Sequence, residues 1–185
     1  VAELDRIAIE QRQIPSLVLM KRAGRSVLTE LLETFGPPSL LSIFCGSGNN
    51  AGDGYIVAAL AAAKNIQVQV IELSQNLSQD ASRARNFAAE ANVCFVPFDS
   101  SLSIEEGIIV DSLLGTGYLG NLRQPYGEAI QLINDSGLPL VAVDIPSGLN
   151  ADTGHVAEVA VQADLTVTFI GAKQGLFTGQ GPAFC

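Results

Sequence analysis

The stretch CGSGNNAGDG, residues 45–54, lies between two apolar runs, LLSIF at 40–44 and YIVAALAAA at 55–63. A glycine-rich turn between a strand and a helix is typical of loops that bind phosphate. This loop also carries Asp53, a negative charge at the place where a phosphate would be expected. The pattern predicts an α/β fold and raises the question of which ligand the loop serves.

The alternation of strands and helices continues along the chain. Short apolar runs predict strands at 40–45, 66–72, 93–96, 108–111, 139–144 and 164–170, with helical patterns at 52–64, 78–91 and 125–135. This order predicts a mostly parallel sheet with helices on both faces. Two earlier helices, at 2–12 and 16–35, are expected to form an N-terminal appendage packed on the sheet. Residues 1–36 and 37–185 then make up a single domain.

Composition narrows the class of protein. The chain has 185 residues, of which 48% are hydrophobic, and its net charge is −9, which argues against nucleic acid or an anionic membrane as the main partner. It contains no apolar run long enough for a transmembrane helix and no recognisable signal peptide. Three widely spaced cysteines, Cys45, Cys94 and Cys185, suit a reducing compartment. We therefore expect a cytoplasmic protein.

Three polar loops follow the ends of predicted strands, at 46–54, 111–121 and 144–154. The carboxyl ends of parallel strands meet at one edge of a sheet, where ligands bind in such folds. These loops should therefore share one rim, and a fourth segment, 171–181, could approach it.

The first loop fits the relaxed dinucleotide fingerprint through Gly46, Gly48 and Ala51. Glu72 ends the next predicted strand, near the place of a ribose-binding acid. An ordinary NAD-dependent oxidoreductase is therefore one interpretation. The loop lacks the Gly-Lys-Ser/Thr ending of a P-loop.

The same loop has polar content beyond this fingerprint, because Asn49, Asn50 and Asp53 are crowded into it. A carboxylate beside a pyrophosphate is repelled unless a helix N-terminus or a cation stabilises it. The simpler interpretation is that Asp53 only places a negative charge in the first turn of the helix and that Asn50 caps the helix.

Asp111 and Asp144 each lie where a predicted strand ends and a glycine-containing loop begins. Acidic groups gathered at one rim either share protons or hold a cation. Neighbouring amides, hydroxyls and carbonyls are hard oxygen ligands, and no histidine or cysteine joins them, which disfavours zinc. Ser147 is better suited to a turn or to a cation than to nucleophilic attack. His155, the only histidine, is expected at the surface.

Anion-binding capacity is expected from backbone amides in loop 115–121, which precedes Pro125 at the start of a predicted helix. Lys173 and Arg123 could assist, although each could equally be a solvated surface charge.

Three long motifs, GSGNNAGDGYIVAALA, VDSLLGTGYLGN and AVDIPSGLNADTG, together resemble the NAD(P)H-hydrate epimerase family, the N-terminal domain type of bifunctional nicotinamide-nucleotide repair enzymes. IPSLVLMKRAGRSV near the start and ADLTVTFIGAKQGLFTGQG near the end are similar to the family too. The resemblance implies a three-layer, Rossmann-like fold. It also implies an isomerase that interconverts the R and S hydrates of NADH and NADPH, so that a fused or separate dehydratase can restore the cofactor. The chain ends about where a fused dehydratase would begin.

The resemblance also implies a site. Potassium would be held by Asn50, Asp111 and Ser147. Substrate contacts would come from Asn49, Asn50, Ala51, Gly52, Asp53, Gly115, Thr116, Gly117, Tyr118, Leu119, Gly120, Asn121 and Asp144. In this interpretation the first loop helps to hold a cation, and phosphate binding shifts to loop 115–121.

Epimerisation of a carbinolamine carbon requires loss and return of hydroxide, or transient ring opening. Either route needs a group that gives and takes a proton, and we assign this role to Asp144. Besides the NAD-dependent oxidoreductase, a non-catalytic dimerising scaffold or binding domain of the same fold is the second alternative to an epimerase. The broad apolar face of helix 16–35 favours a homodimer.

Overall fold

The computed structural model describes residues 14–117 and 122–185. Within these ranges six strands form one parallel sheet: β1 (Leu41–Cys45), β2 (Val68–Glu72), β3 (Cys94–Pro97), β4 (Ile108–Ser112), β5 (Leu140–Val143) and β6 (Leu165–Val167). Their spatial order is β3-β2-β1-β4-β5-β6. This is the Rossmann order. The strands β1 to β3 extend to one side of the sheet and β4 to β6 to the other, so the strand order reverses between β1 and β4. At this point a crevice opens at the carboxyl ends of the strands.

In the described part of the chain four α-helices accompany the sheet: α1 (Ser16–Phe35), α2 (Asn49–Ala62), α3 (Gln79–Glu90) and α4 (Tyr126–Asp135). Two short 3-10 turns, Gln174–Leu176 and Gly181–Ala183, follow β6. The predicted α/β class, parallel sheet and flanking helices are confirmed. The helix predicted at 2–12 lies outside the described residues. None of the helices in the described ranges is long and apolar enough to cross a membrane.

Two predicted boundaries were wrong by three residues, and the other predicted boundaries within the described residues agree to within two. The helix predicted to start at residue 52 begins at Asn49, because Gly48 takes an extended backbone and serves as the N-cap. Asn50 is therefore inside the first turn and does not cap the helix. The strand predicted at 164–170 ends at Val167, because the chain turns beyond it and Ile170 has a positive φ of 65°.

Alternating side chains of the strands point to two separate cores. Leu41, Ile43 and Cys45 of β1 belong to a core shared with α1, α2 and α3. Phe44 faces the other side, where α4 packs through Ile130. Helices thus cover both faces, and the three layers leave the carboxyl edge of the sheet as the place where loops gather.

Helix α1 packs chiefly on α2 and is an integral part of the first core. A Cβ on Gly24 would lie 2.6 Å from Cγ2 of Ile56, so only glycine lets the two helices approach this closely. Val27 and Leu31 are fully buried there. The apolar face of α1 is therefore covered within the chain, and it no longer supports the predicted homodimer.

Candidate functional site

The loops after β1 and β4 are joined directly at the point where the strand order reverses. The backbone N–H of Gly46 donates to the carbonyl oxygen of Ser112 at 3.2 Å. A Cβ on Gly46 would lie 2.0 Å from the carbonyl oxygen of Leu113, so a side chain is excluded at this position. By contrast, a Cβ on Gly48 would meet nothing within 4 Å. The first glycine of the fingerprint thus serves strand packing, and the second leaves open space at the N-terminus of α2.

The three predicted cation ligands converge on the segment that follows β4. Asn50 donates through Nδ2 to the carbonyl oxygen of Leu114 at 2.9 Å. The N–H of Leu114 donates to Oγ of Ser147 at 2.9 Å, and that hydroxyl donates to Oδ1 of Asp111 at 2.6 Å. Asn50, Asp111 and Ser147 therefore belong to one hydrogen-bonded cluster, as the sequence predicted.

Asp111 is a fully buried carboxylate that is held by hydrogen bonds alone in the described part of the chain. It accepts from Ser147 N at 2.7 Å and from Leu113 N at 3.1 Å, in addition to the Ser147 hydroxyl. Burial raises the pKa of the Asp111 carboxyl from 3.8 to about 6, although the hydrogen bonds from Ser147 and Leu113 oppose this shift. A buried negative charge without a cationic side chain nearby is costly, which makes the cluster receptive to a cation.

Asp144 lies at the same rim, directly after β5, and is tied to the segment that follows β6. Its backbone has a positive φ of 69°, and its N–H donates to Val167 O at 2.8 Å. Oδ1 accepts from the N–H of Phe169 at 3.1 Å, from Oγ1 of Thr168 at 3.3 Å, and from Nζ of Lys173 in a close ion pair. The fourth segment therefore reaches the rim, as predicted.

Glu72 is fully engaged by neighbouring side chains. It accepts from Tyr55 Oη at 2.7 Å and from Nε and a terminal nitrogen of Arg85 at 2.6 and 3.0 Å. A ribose hydroxyl would have to displace this bidentate pair. The occupied carboxylate argues against the role that the oxidoreductase interpretation gives to Glu72.

Comparison with known proteins agrees with this geometry. Residues 16–175 match the family described as YjeF-related protein N-terminus. The chain belongs to this family.

Named relatives of this YjeF-related chain fall into two kinds. An NAD(P)H-hydrate epimerase of Limosilactobacillus fermentum is 37% identical over 187 residues, covering 97% of this chain and 87% of the relative. A protein of the same name from Rhodopirellula baltica is 35% identical over 195 residues, covering 97% and 79%. The bifunctional NAD(P)H-hydrate repair enzyme Nnr of Coxiella burnetii is 40% identical over 187 residues, and all of this chain spans 38% of that protein.

The fold is also found in a solved structure. The crystal structure of yeast ynu0 superposes with a TM-score of 0.82 at 20% identity, covering 94% of this chain and 79% of that one. At this identity the likeness concerns the fold alone, and it confirms the three-layer architecture of the YjeF-related domain.

The remaining predicted substrate residues of this family member occupy different environments. Asn49 is exposed, and its Oδ1 accepts from Ser78 Oγ at 3.3 Å. Ala51 and Gly52 are buried, and a Cβ on Gly52 would lie 2.7 Å from Met20 Cε, so this side of α2 faces α1. Asp53 is half-buried. The structure gives these residues positions beside the rim but does not test their contacts with substrate.

The second rim loop is described only in part. Gly115 packs against Asn50, with a Cβ at this position 3.3 Å from Asn50 Cβ, whereas Thr116 and Gly117 are exposed. Tyr118, Leu119, Gly120 and Asn121 lie outside the described residues. The assignment of phosphate binding to loop 115–121 therefore stays a prediction.

Lys173 is the main residue that the sequence interpretation misplaced. It was expected to assist anion binding or to be solvated, but it is buried and paired with Asp144. A sequence signal was available, because Lys173 follows the last strand and is the only lysine beyond residue 120, where the only arginine is Arg123. Arg123 and His155 are exposed, as expected.

The raised pKa of Asp111 gives a testable pH dependence of stability. The folded carboxyl holds its proton up to about pH 6, whereas the unfolded one loses it near 3.8. Between these values the native state binds more protons, so the free energy of unfolding should fall by about 3 kcal/mol as pH rises through this window. Urea denaturation in potassium-free buffer at several pH values measures this loss. Asp111→Asn should lack that component, and an unchanged pH dependence in this variant would contradict the assignment.

Proposed function

We propose that this chain interconverts the R and S epimers of hydrated NADH and NADPH, as an isomerase of nicotinamide-nucleotide repair. The observation that carries the proposal is the Asp144 carboxylate, which is half-buried at the carboxyl edge of a Rossmann-order sheet and has only one of its two oxygens occupied by described residues. Two relatives of which this chain covers 79% and 87% are named NAD(P)H-hydrate epimerase, which supports the proposal.

The hydrogen bonds of Asp144 favour its action as a base. Three donors aimed at Oδ1 hold the carboxylate in one orientation, and Oδ2 accepts no hydrogen bond from the described residues. Oδ2 then takes the hydroxyl proton of the carbinolamine while the bond between that carbon and the ring nitrogen breaks. The electron pair goes to the ring nitrogen, and the carbon becomes an aldehyde. Rotation, reclosure on the opposite face and return of the proton give the other epimer, with nothing consumed.

The alternative route, loss and return of hydroxide, uses the same residue. Asp144 would then carry the proton to the departing oxygen, and its charge would stabilise the cationic ring that forms. Both routes depend on a carboxylate held at a fixed place on the rim, and both leave the phosphates of the substrate to the backbone amides of the neighbouring loops.

The two rival functions have less support. The oxidoreductase interpretation needs Glu72 for a ribose, and Glu72 is held by Tyr55 and Arg85. A non-catalytic scaffold would not need the buried Lys173 to orient the Asp144 carboxylate, nor would it need the buried carboxylate of Asp111.

A test of the function starts from one purified hydrate epimer. The protein should produce the other epimer faster than the spontaneous reaction, measured by chromatography at short times. Heat-denatured protein is the control, and incubation with NAD and a panel of alcohols tests hydride transfer. Hydride transfer without epimerisation would favour the oxidoreductase, and neither activity would favour the scaffold.

Potassium is the cation that the cluster would hold. Asn50, Asp111 and Ser147 offer an amide, a carboxylate and a hydroxyl, all of which carry hard oxygen ligands. A single carboxylate suits a monovalent ion better than a divalent one, and the described residues contain no group of three or more His, Cys, Asp or Glu side chains fit for a metal. The residues present therefore fit potassium, whose charge would shape the site beside Asp111.

Potassium should raise both stability and activity. At about 100 times its Kd, the ion would add about 2.7 kcal/mol to the free energy of unfolding. We expect a higher thermal midpoint and faster epimerisation in potassium chloride than in choline chloride, with the potassium response lost in Asp111→Asn. Equal values in both salts for the wild type, or zinc at this place in a crystal structure, would contradict this assignment.

Partners and compartment follow from the same proposal. The bifunctional relatives support a dehydratase as the partner activity, fused to this domain or separate. Three free cysteines support a reducing compartment, for which we propose the cytoplasm. A homodimer stays a prediction, which light scattering at micromolar concentration would test.

A further inference from the structure

Lys173 and Asp144 form an ion pair in which the lysine is buried and the carboxylate is partly exposed. The side chain of Lys173 is 2% exposed, whereas that of Asp144 is 17% exposed. The only part of the pair that a substrate can reach therefore belongs to Asp144. Lys173 lies on the segment that follows β6 and contacts Asp144 from the protein interior.

All three protons of the Lys173 ammonium are used within the protein. Nζ donates to Asp144 Oδ1, to Thr168 Oγ1 at 2.9 Å and to the carbonyl oxygen of Phe169 at 2.9 Å. An ammonium has three donors and no acceptor, so no donor remains for a phosphate or a hydroxyl of the substrate. This arrangement excludes the anion-binding role that its sequence position suggested.

The same contacts fix which oxygen of Asp144 faces the reaction. Lys173, Thr168 and Phe169 N all donate to Oδ1, and Oδ2 accepts no hydrogen bond from the described residues. Rotation of the carboxylate about its terminal bond would break all three contacts. Oδ2 is thereby held as the oxygen that is free to contact a substrate.

We propose that Lys173 is a positioning residue for epimerisation, which acts through Asp144 by orienting its carboxylate, without touching the substrate. This inference rests on the proposed function of the site. It goes beyond that function because it assigns a role to a buried residue that does not contact the substrate and predicts how two substitutions combine.

The test compares the wild type with Lys173→Met, Asp144→Asn and the double variant in the epimerisation assay. Lys173→Met keeps the length of the side chain but removes its charge and its donors. A misplaced reacting group can cost about 100-fold, and we expect a loss of this order in kcat for Lys173→Met, with a small change in KM. Circular dichroism and thermal melting establish that each variant is folded.

The double variant separates action through Asp144 from direct action. If Lys173 works only through Asp144, Lys173→Met should lower the rate little further in the Asp144→Asn background. Multiplied losses would show that Lys173 contacts the substrate itself and would overturn the inference. Lys64→Met, which removes an exposed charge just beyond the end of α2, is the matched control and should match the wild type.

Two outcomes distinguish the inference from the function on which it rests. An active wild type whose Lys173→Met variant keeps its kcat overturns the positioning role alone. A folded wild type that does not interconvert the epimers overturns the proposed function and the positioning role together. Recovery of part of the rate in Lys173→Arg, which restores the charge, would support the inference further.

Discussion

Asp144→Asn is expected to lower the turnover of hydrate epimerisation about 100-fold or more, the scale of general acid–base catalysis. Asparagine keeps the shape of the side chain and its ability to accept from Phe169 N, but it cannot carry a proton. It also tolerates the positive φ of 69° found at this residue. Substrate binding should weaken less than turnover, because only the transition state needs the proton and the charge. Single-turnover kinetics and KM measure the two effects separately.

The structure predicts that Asp144→Asn also lowers the free energy of unfolding. From the sequence, a rim carboxylate would contribute little to folding. Asp144 is, however, the counter-charge of a lysine that is 2% exposed. Removing one partner of a buried pair costs about 3–5 kcal/mol, because the other charge is left uncompensated. Asp144→Asn combined with Lys173→Met should therefore recover much of the stability and none of the activity.

One outcome would remove Asp144 from the mechanism. If Asp144→Asn epimerises at the wild-type rate while Asp111→Asn abolishes both activity and the potassium response, then Asp144 only contacts the substrate. The proton carrier would then have to be sought elsewhere on the rim.

The parts of the fold that were predictable are those set by local pattern. Apolar runs such as LLSIF mark central strands because both faces of a parallel sheet are buried. The convergence of Asn50, Asp111 and Ser147 was also predictable, because the carboxyl ends of parallel strands share one edge. Both conclusions need only the pattern and order of elements along the chain, whereas the choice of these three residues as one set rested on the family resemblance.

The parts that were missed depend on contacts between distant segments. The early start of α2 reflects tertiary hydrogen bonds of its first turn, such as Asn50 to Leu114 O, which no local propensity contains. The burial of Lys173 depends on a turn after Val167 that carries Ile170 at a positive φ, an unusual conformation for a β-branched residue. The engagement of Glu72 by Tyr55 and Arg85 likewise joins β2 to two helices.

Gly46 and Gly48, the two glycines of the fingerprint, look alike in the sequence but have different surroundings in the structure. Substitutions at the two positions should therefore have different effects. A Cβ on Gly46 would lie 2.0 Å from Leu113 O and 3.0 Å from Leu113 C, and both are backbone atoms that can move only with β4. Overpacking typically costs 1–3 kcal/mol and occasionally more. Because both of the atoms that the new methyl group would meet belong to the backbone, we expect Gly46→Ala to lower the free energy of unfolding by about 3 kcal/mol or more.

Gly48→Ala is the matched control, since it adds the same methyl group two residues further along the loop. Nothing lies within 4 Å of that position, and φ is −93°, which alanine adopts readily. Loss of a glycine N-cap should cost about 1 kcal/mol or less. The open space there is where the substrate would approach the amides of α2, so Gly48→Ala should weaken substrate binding while the fold persists. Urea denaturation and KM measure the two effects. Equal losses of stability in both variants would show that close approach between the β1 and β4 loops does not explain the glycine at residue 46.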